Sequence, residues 1–154
     1  ELRSFPKPNK CCKGEKLDTG ELEKIKLAII GSRSLKNFDK KAIINHIPPQ
    51  TTTIISGGAR GIDFLAKSIA EELGLSFVEV SPDYRKYGKT APLVRNAAIV
   101  SMADQVLAVW DFSSRGTAHV IAQCIERGVP VRVIGPDGVP ACFKNQKPSE
   151  HTTN

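Results

Sequence analysis

The sequence Ser56-Gly57-Gly58-Ala59-Arg60-Gly61-Ile62-Asp63 begins at the end of a run rich in β-branched residues, Thr52 to Ser56, and opens a helical pattern. That pattern runs from Ile62 to Leu73 with apolar residues three and four positions apart, and Gly74 ends it. Glycines between a strand and a helix let the backbone turn tightly and bring its N–H groups close to a ligand. The positive end of the helix dipole adds to the attraction for an anion. The stretch therefore predicts a glycine loop that holds a phosphate group.

The same alternation of apolar runs and helical patterns continues on both sides of this loop. Five strands are predicted, at Lys26 to Ile30, Thr52 to Ser56, Ser76 to Val80, Gln105 to Trp110 and Val131 to Ile134. Helices are predicted at Ile62 to Leu73, at about Pro92 to Ala103, at about Thr117 to Arg127, and from an Asp39 cap through His46. Strands that alternate with helices form βαβ units around a parallel sheet. The predicted fold is α/β, a three-layer Rossmann-like fold with a roughly five-stranded parallel sheet.

The composition fits one globular domain with irregular ends. The chain has 154 residues, of which 40% are hydrophobic and 25% charged, as is ordinary for a soluble domain. Prolines and glycines near both ends predict an irregular extension over residues 1–24, one domain over 25–135 and an irregular tail over 136–154. No stretch approaches the ~18 apolar residues that cross a bilayer, and the polar N-terminal region shows no secretory signal. We therefore expect a cytoplasmic protein without a membrane partner.

The cysteines and carboxylates show no spacing typical of a metal site. The four cysteines are Cys11, Cys12, Cys124 and Cys142. We expect reduced thiols, with Cys124 packed as a small core residue. The carboxylates near the predicted loops are Asp63, Asp83 and Asp111. No metal and no cofactor is evident from the sequence.

In a parallel sheet, every loop that follows a strand lies at the same edge, where open α/β folds bind their ligands. These loops carry many cations, namely Arg33, Arg60, Arg85, Lys86, Lys89 and Arg115, with Arg95 one turn into the next helix. Gly31-Ser32-Arg33 and Ser113-Ser114-Arg115-Gly116-Thr117 each offer backbone donors, a hydroxyl group and a guanidinium group. Together with the glycine loop, they predict a two-sided anion pocket.

Two common phosphate-binding motifs are not matched. Gly31 is not followed by the G-x-G-x-x-G pattern, so a standard dinucleotide site is not predicted. Gly88-Lys89-Thr90 imitates the end of a P-loop, but Asp83 stands where that motif needs glycine and Pro92 follows closely. Asp63 has two open roles, which are capping of the helix and a hydrogen bond to a ribose hydroxyl group.

With these residues assembled, the chain resembles the SLOG superfamily, a Rossmann-like group, and within it the YspA-like branch. The resemblance covers about Lys26 to Ile134. It rests on Gly31-Ser32-Arg33, Ser56 to Asp63, Tyr87-Gly88-Lys89, Arg95-Asn96, Ala103-Asp104 and Trp110-Asp111 through Thr117. The superfamily includes the DNA-processing proteins of bacterial transformation and the cytokinin-activating phosphoribohydrolases. The resemblance implies a site for nucleotides or nucleotide-derived signals between the first and fourth strands, with the glycine loops holding phosphate.

The loops and the resemblance together predict one ligand-binding set. It comprises Gly31, Ser32, Arg33, Ser56, Gly57, Gly58, Ala59, Arg60, Gly61, Asp63, Arg95, Asn96, Asp111, Ser113, Ser114, Arg115, Gly116 and Thr117. The expected partner is a phosphorylated small molecule, a nucleotide or nucleotide derivative, bound by a ligand-binding or sensor domain. The sequence leaves homo-oligomerisation open.

Two alternative functions stay open. The first is a nucleoside-monophosphate N-glycosidase, because the Arg95 position resembles the conserved arginine of the phosphoribohydrolases. Those enzymes carry Gly-Thr-x-x-Glu, whereas Val120 stands at the glutamate position here, which leaves Arg95, Asp63 and Asp111 as catalytic candidates. The second is single-stranded DNA binding, because the DNA-processing relatives share the Gly-Ser-Arg and Ser-Gly-x-Ala-x-Gly-Ile-Asp patterns and a basic rim suits a phosphate backbone. The sequence does not decide between an enzyme and a sensor.

Overall fold

The computed structural model describes residues 23–141, in which five strands form one sheet. The strands are β1 (Ile25–Gly31), β2 (Thr51–Ser56), β3 (Ser76–Glu79), β4 (Gln105–Val109) and β5 (Val131–Ile134). Neighbouring strands are parallel, and their order across the sheet is β3-β2-β1-β4-β5. The predicted fold class is confirmed, and the predicted strand ends differ from the observed ones by at most one residue. The strand order reverses between β1 and β4, the place at which open α/β folds bind ligands.

Helices connect the strands. They are α1 (Lys40–Ile44), α2 (Ile62–Leu73), α3 (Tyr84–Tyr87), α4 (Ala91–Met102) and α5 (Arg115–Arg127), and a turn of 3-10 helix (Gly88–Thr90) precedes α4. The prediction for α2 matches the observed bounds, α4 and α5 begin one and two residues earlier than predicted, and α1 ends two residues before His46. The short helix α3 was predicted as a loop. It forms because the Asp83 side chain caps it by accepting a hydrogen bond of 3.1 Å from the Lys86 N–H.

The sheet separates two apolar cores. One core lies between the sheet and the helices α1 and α2, and it contains Leu27 and Ile29 of β1. The other lies beneath α4 and α5, and it contains Ala28 and Ile30 of the same strand. Successive side chains of a strand point to opposite faces, so β1 contributes to both cores. Cys124 is a buried free thiol in the second core, as expected, and burial raises its pKa to about 11.

Gly31 positions the start of α2 against the end of β1. A Cβ atom on Gly31 would lie 2.5 Å from Ile62 Cγ1 and 2.7 Å from the Val109 carbonyl oxygen. Contacts this short are not tolerated, so a side chain at Gly31 would push the helix away from the sheet. The missing side chain therefore brings the first turn of α2 to the carboxyl edge of β1.

The predicted N-terminal extension and most of the predicted C-terminal tail lie outside the described residues, as do Cys11, Cys12 and Cys142. Within the tail, Ala141 donates a hydrogen bond of 2.8 Å to the Val133 carbonyl oxygen, and Pro140 pairs with Ile134 in an antiparallel bridge. The first residues of the tail therefore fold back along β5. Between residues 23 and 141, none of the helices is long and apolar enough to cross a membrane.

Candidate functional site

A cleft of about 410 Å³ opens at the carboxyl ends of β1 and β4, beside the starts of α4 and α5. Its apolar wall is formed by Ile30, Pro92, Leu93, Ile99 and Val120. Its polar wall comes from the loops after β1, β2 and β4 and from α4. Small-molecule sites in proteins have this size and this mixture of an apolar lining with a few polar groups.

The start of α5 forms one end of the polar wall. Ser114, Gly116 and Thr117 line the cleft there, and within residues 23–141 no side chain caps the helix. The first N–H groups of a helix have no acceptor inside the helix, and the helix dipole places a partial positive charge beside them. A Cβ atom on Gly116 would meet no described atom within 4 Å. The first turn of α5 therefore presents N–H donors without a side-chain cap to the cleft.

Asp111 fixes the loop that leads into α5. Its Oδ1 atom accepts hydrogen bonds from the N–H groups of Ser113 (2.9 Å) and Ser114 (2.7 Å), and its Oδ2 atom accepts one from the Ser34 hydroxyl group (2.6 Å). The Asp111 N–H in turn donates to the hydroxyl oxygen of the buried Ser32. These bonds, the one from Ser34 above all, hold the pKa of Asp111 well below its usual range. Asp111 is therefore an ionised carboxylate that ties the loops after β1 and β4 together.

The glycine loop after β2 is partly filled from inside the protein. The Ala59 N–H donates a hydrogen bond of 3.2 Å to Asp63 Oδ2. A Cβ atom on Gly57 would lie 2.5 Å from Arg95 Nη1 and 2.9 Å from Asp63 Oδ2, so these two side chains occupy the space beside that glycine. The sequence predicts phosphate on the N–H groups of this loop, whereas the structure gives the Ala59 N–H a carboxylate as its acceptor. The negative charge of Asp63 would also repel a phosphate at this point.

The Asp63 carboxyl group is buried and incompletely hydrogen-bonded. It is 6% exposed, and no described residue donates a hydrogen bond to its Oδ1 atom. Burial raises the pKa of Asp63, although the Ala59 N–H, the positive charge of Arg95, the Gly31 N–H and the Ser56 hydroxyl group oppose the rise. A buried carboxylate oxygen without a partner destabilises the folded state. Asp63 is one of the residues that line the cleft, although its Oδ1 atom has almost no solvent-accessible surface.

Arg95 reaches from α4 to the glycine loop. Its Nη1 atom donates a hydrogen bond of 2.7 Å to the Gly57 carbonyl oxygen, and its Nε atom donates one of 2.9 Å to Asn96 Oδ1. Burial lowers the pKa of Arg95, and the charge of Asp63 opposes that shift. Arg95 and Asn96 both line the cleft, so the structure places them on its wall rather than on a solvated helix face.

A family model described as DNA recombination-mediator protein A matches residues 12–83. The chain is similar to that family. The similarity to DNA recombination-mediator protein A spans β1, β2, α2 and the glycine loop, and it supports the predicted relation to the DNA-processing proteins over this part of the chain. Arg95, Asp111 and the start of α5 lie beyond the matched residues. No curated protein and no solved structure matches the chain.

The predicted ligand-binding residues divide into three groups in the structure. Those that line the cleft are Gly31, Arg33, Ala59, Asp63, Arg95, Asn96, Asp111, Ser114, Gly116 and Thr117. Gly58, Arg60 and Gly61 instead line a second groove of about 230 Å³, together with Lys36, Phe64 and Leu65, and Ala59 belongs to both cavities. Ser32, Ser56, Gly57, Ser113 and Arg115 line neither cavity. Predicted residues from before and after α3 therefore meet at one sheet edge, and the similarity to DNA recombination-mediator protein A covers those that precede α3.

Ser56 and Ser32, which line neither cavity, have structural contacts. The Ser56 hydroxyl group donates a hydrogen bond of 2.8 Å to the Ile29 carbonyl oxygen, and Ser32 is fully buried beneath Asp111. The cations Arg85, Lys86 and Lys89 are exposed on α3 and the 3-10 turn, outside both cavities. The predicted basic rim is thus broader than the cleft, and Arg33 and Arg95 are its members that line the cleft.

Sequence reasoning missed several residues of the cavities. They are Ser34, Lys36, Phe64, Leu65, Pro92, Leu93 and the wall residues Ile30 and Ile99. Ser34 directly follows the Gly31-Ser32-Arg33 motif, and this adjacency is the signal that identifies it. Lys36 lies in the turn between β1 and α1. The others are apolar, and nothing in their spacing separates them from ordinary core and surface positions.

The two candidate catalytic carboxylates differ in how many of their oxygen atoms already accept hydrogen bonds. Both oxygens of Asp111 are committed to the loop, whereas Asp63 keeps an oxygen without a partner among the described residues. Val120 is 2% exposed on the cleft wall, so the position at which the phosphoribohydrolases carry glutamate is aliphatic here. In the part of the chain that the structure covers, no group of three His, Cys, Asp or Glu residues is arranged to hold a metal ion.

Proposed function

We propose that the chain binds a nucleotide or nucleotide-derived molecule in the cleft between the ends of β1 and β4. The observation that carries the proposal is the uncapped start of α5, which opens into a cleft of about 410 Å³. In this arrangement the phosphate group binds the N–H groups of Gly116 and Thr117. Helix starts bind phosphate in this way because unpaired donors and the dipole act together.

The rest of the cleft suits the other parts of a nucleotide. Ile30, Ile99 and Val120 form an apolar wall against which a base or the carbon face of a sugar packs. The exposed Arg33 and the half-buried Arg95 add positive charge around the phosphate. The cleft therefore offers an anion position, an apolar surface and a buried carboxylate within one cavity.

Isothermal titration calorimetry with ribonucleoside 5′-monophosphates and ADP-ribose tests the proposal. We expect at least one of these compounds to bind, and Arg95→Ala to weaken that binding by about tenfold or more, because a charged hydrogen-bond donor leaves the cleft wall. Arg127→Ala is the matched control. Arg127 also donates to a backbone carbonyl group, that of Ala97 on α4 at 3.3 Å, but it does not line the cleft. Absence of binding for every compound contradicts the proposal.

Single-stranded DNA binding is a second candidate, favoured by the similarity to DNA recombination-mediator protein A and by the second groove. Phe64 is 70% exposed on the first turn of α2, and it lines this groove with Lys36 and Arg60. Exposed aromatic rings between cations bind single strands by stacking on the bases while the cations bind the phosphates. The groove therefore has the two components that binding of a single strand needs.

Fluorescence anisotropy with a labelled oligonucleotide tests this second candidate. Affinity should fall steeply as salt is raised, because counterions are released from the phosphates on binding. Phe64→Ala should weaken binding by roughly five- to one-hundredfold, the range measured for one stacked base. Leu73→Ala is the control, since Leu73 is an exposed apolar residue at the other end of α2. Binding that is absent, or unchanged by salt and by Phe64→Ala, removes this candidate.

A further inference from the structure

We infer that Trp110 and Phe112 are positioning residues for the bound phosphate group, because they hold the start of α5 in place at the cleft. The inference rests on the proposed binding of a nucleotide and concerns how the anion position, the N–H groups of Gly116 and Thr117, is held. Trp110 and Phe112 do not line the cleft, so they act through the backbone of Ser114.

The first step is the backbone conformation of Phe112, in the loop between β4 and α5. Its φ angle is 64°, and between residues 23 and 141 it is the one residue other than glycine with a positive φ. A bulky side chain rarely adopts this conformation, which persists only where the surrounding structure enforces it. Phe112 lies three residues before the first residue of α5. The strained residue is therefore part of the segment that leads to the anion position.

The second step is the set of contacts that hold this conformation. The Phe112 ring lies against the Trp110 ring, with 5.3 Å between the centroids and 55° between the planes. It also lies over Gly135, directly after β5, where a Cβ atom would come within 3.0 Å of Phe112 Cε2. Trp110 in turn packs against the second core. Glycine at position 112 would adopt the same φ without strain, so the phenylalanine is explained by the contacts of its ring.

The third step joins Trp110 to the start of α5. The Trp110 Nε1 atom donates a hydrogen bond of 3.0 Å to the Ser114 carbonyl oxygen, which also accepts the Ala118 N–H at 3.2 Å. The bond from Ala118 is the first hydrogen bond of the helix. The Ser114 N–H donates to Asp111 Oδ1. Both backbone groups of Ser114 are therefore bound by the loop, and this fixes the direction of the first turn.

The fourth step is that these contacts leave the first N–H groups of the helix without a side-chain cap. A serine at the N-cap position usually accepts from the second or third N–H group of the helix through its hydroxyl group. The Ser114 hydroxyl group makes no such bond, and it accepts from the Thr117 hydroxyl group at 3.5 Å instead. Trp110 thus helps to hold the helix start without occupying its donors. Donors that are fixed in advance lose no freedom when a ligand binds.

Two variants of the full chain test the inference by calorimetry with ribonucleoside 5′-monophosphates and ADP-ribose. Trp110→Phe keeps an aromatic ring but removes the donor to Ser114, and Phe112→Gly removes the ring that packs on Trp110. We expect each variant to bind the nucleotide roughly two- to tenfold more weakly, the range for loss of one hydrogen bond. Tyr87→Phe and Val139→Gly are the matched controls. They make the same kinds of change at exposed positions outside the cleft, so they should keep the affinity of the unaltered protein.

Competition by inorganic phosphate assigns the effect to the anion position. Phosphate has no sugar or base, so its inhibition constant against the nucleotide depends on the N–H donors and the nearby cations alone. In both variants this constant should rise by a factor similar to that of the nucleotide dissociation constant. An unchanged inhibition constant beside weaker nucleotide binding overturns the inference, as does phosphate that fails to compete on the unaltered protein.

Amide hydrogen exchange without ligand measures the positioning itself. The Ala118 N–H should exchange faster in both variants. The Val129 N–H donates to the Cys124 carbonyl oxygen at 2.9 Å, at the other end of α5, and should keep its rate. Unchanged exchange at Ala118 overturns the inference.

The outcomes separate the inference from the proposed function. If the unaltered protein binds a nucleotide and both variants keep its affinity, the inference falls and the proposed function stands. If the unaltered protein binds none of the compounds, both fall. Thermal unfolding establishes that the variants fold, and should one of them not fold, the other decides the inference.

Discussion

Arg95 Nη1 lies 2.7 Å from the carbonyl oxygen of Gly57 and joins α4 to the loop after β2, across 38 positions of the chain. The contact is possible because Gly57 has no side chain, since a Cβ atom there would lie 2.5 Å from the same nitrogen. The guanidinium group thus occupies space that any other residue at position 57 would need.

We expect Gly57→Ala to displace Arg95 and the Asp63 carboxylate. Overpacking of a close contact of this kind lowers the free energy of unfolding by about 1–3 kcal/mol. Nucleotide affinity should fall together with stability, because both displaced side chains line the cleft. Urea unfolding and calorimetry measure the two effects, and an unchanged midpoint of unfolding would show that the loop has more freedom than the distances indicate.

Gly116→Ala should separate stability from binding. A Cβ atom there would meet no described atom within 4 Å, and alanine favours a helix over glycine by up to about 1 kcal/mol. The variant should therefore be as stable as the unaltered protein or more so. Nucleotide binding should nevertheless weaken, since the added methyl group approaches the donors at the start of α5. Unaltered affinity in the calorimeter would place the phosphate group elsewhere.

Asp63→Asn should stabilise the protein at neutral pH. Burial raises the pKa of Asp63 in the folded protein, so the unfolded chain loses this proton at a lower pH than the folded one. The protonated Asp63 carboxyl group makes its full contribution to stability below the ordinary aspartate pKa of about 4. That contribution is lost as the pH rises through the pKa that Asp63 has in the folded protein. An amide does not titrate and can still accept from Ala59.

Thermal unfolding over a pH series measures the difference between Asp63→Asn and the unaltered protein. The advantage of the variant should shrink as the pH is lowered. Asp39→Asn makes the same carboxyl-to-amide change at the start of α1 and tests whether the effect belongs to Asp63. A lower melting temperature for Asp63→Asn at neutral pH would contradict the assigned burial effect.

At pH values above the ordinary pKa of aspartate, Ser34→Ala should reduce the contribution of Asp111 to the free energy of unfolding. The Ser34 hydroxyl group is the main cause of the depressed pKa of Asp111, so this contribution is present above about pH 4 and is lost as the pH falls further. The loss at neutral pH should stay below about 1 kcal/mol, because the pair is open to solvent. Ser113→Ala is the control, since Asp111 is bound by the backbone of Ser113. Equal pH profiles for the two variants would contradict the role of Ser34.

The fold could be predicted because its signals are local. Runs of β-branched residues mark the strands, and Gly61 and Gly74, both with positive φ, bound α2 at the predicted residues. The site could be predicted in outline because a parallel sheet brings every loop after a strand to one edge. The motif at Gly31 and the start of α5 therefore converge as expected.

The details of the site depend on packing between distant segments. Pro92 and Leu93 line the cleft because α4 packs on the second core in an orientation that places its first turn there. No local sequence pattern at these two residues indicates a position in a site. The bond from Ala59 to Asp63 also depends on close packing, since Gly31 admits the first turn of α2 and Gly57 leaves room for Asp63 Oδ2. Helix α3 has only four residues and is capped by Asp83. A single capping residue before so short a segment does not distinguish a helix from a turn in the sequence.

The sheet keeps α2 and α4 on opposite faces, and their side chains meet beyond the carboxyl ends of the strands, where Asp63 and Arg95 approach Gly57. A molecule bound in the cleft, as proposed, would touch both layers at once and hold them together. Amide hydrogens at the first turns of α2 and α4 should then exchange with solvent more slowly, and by similar factors, when this molecule is bound. Through such a ligand, the two layers, which are stabilised by separate cores, would unfold as one cooperative unit.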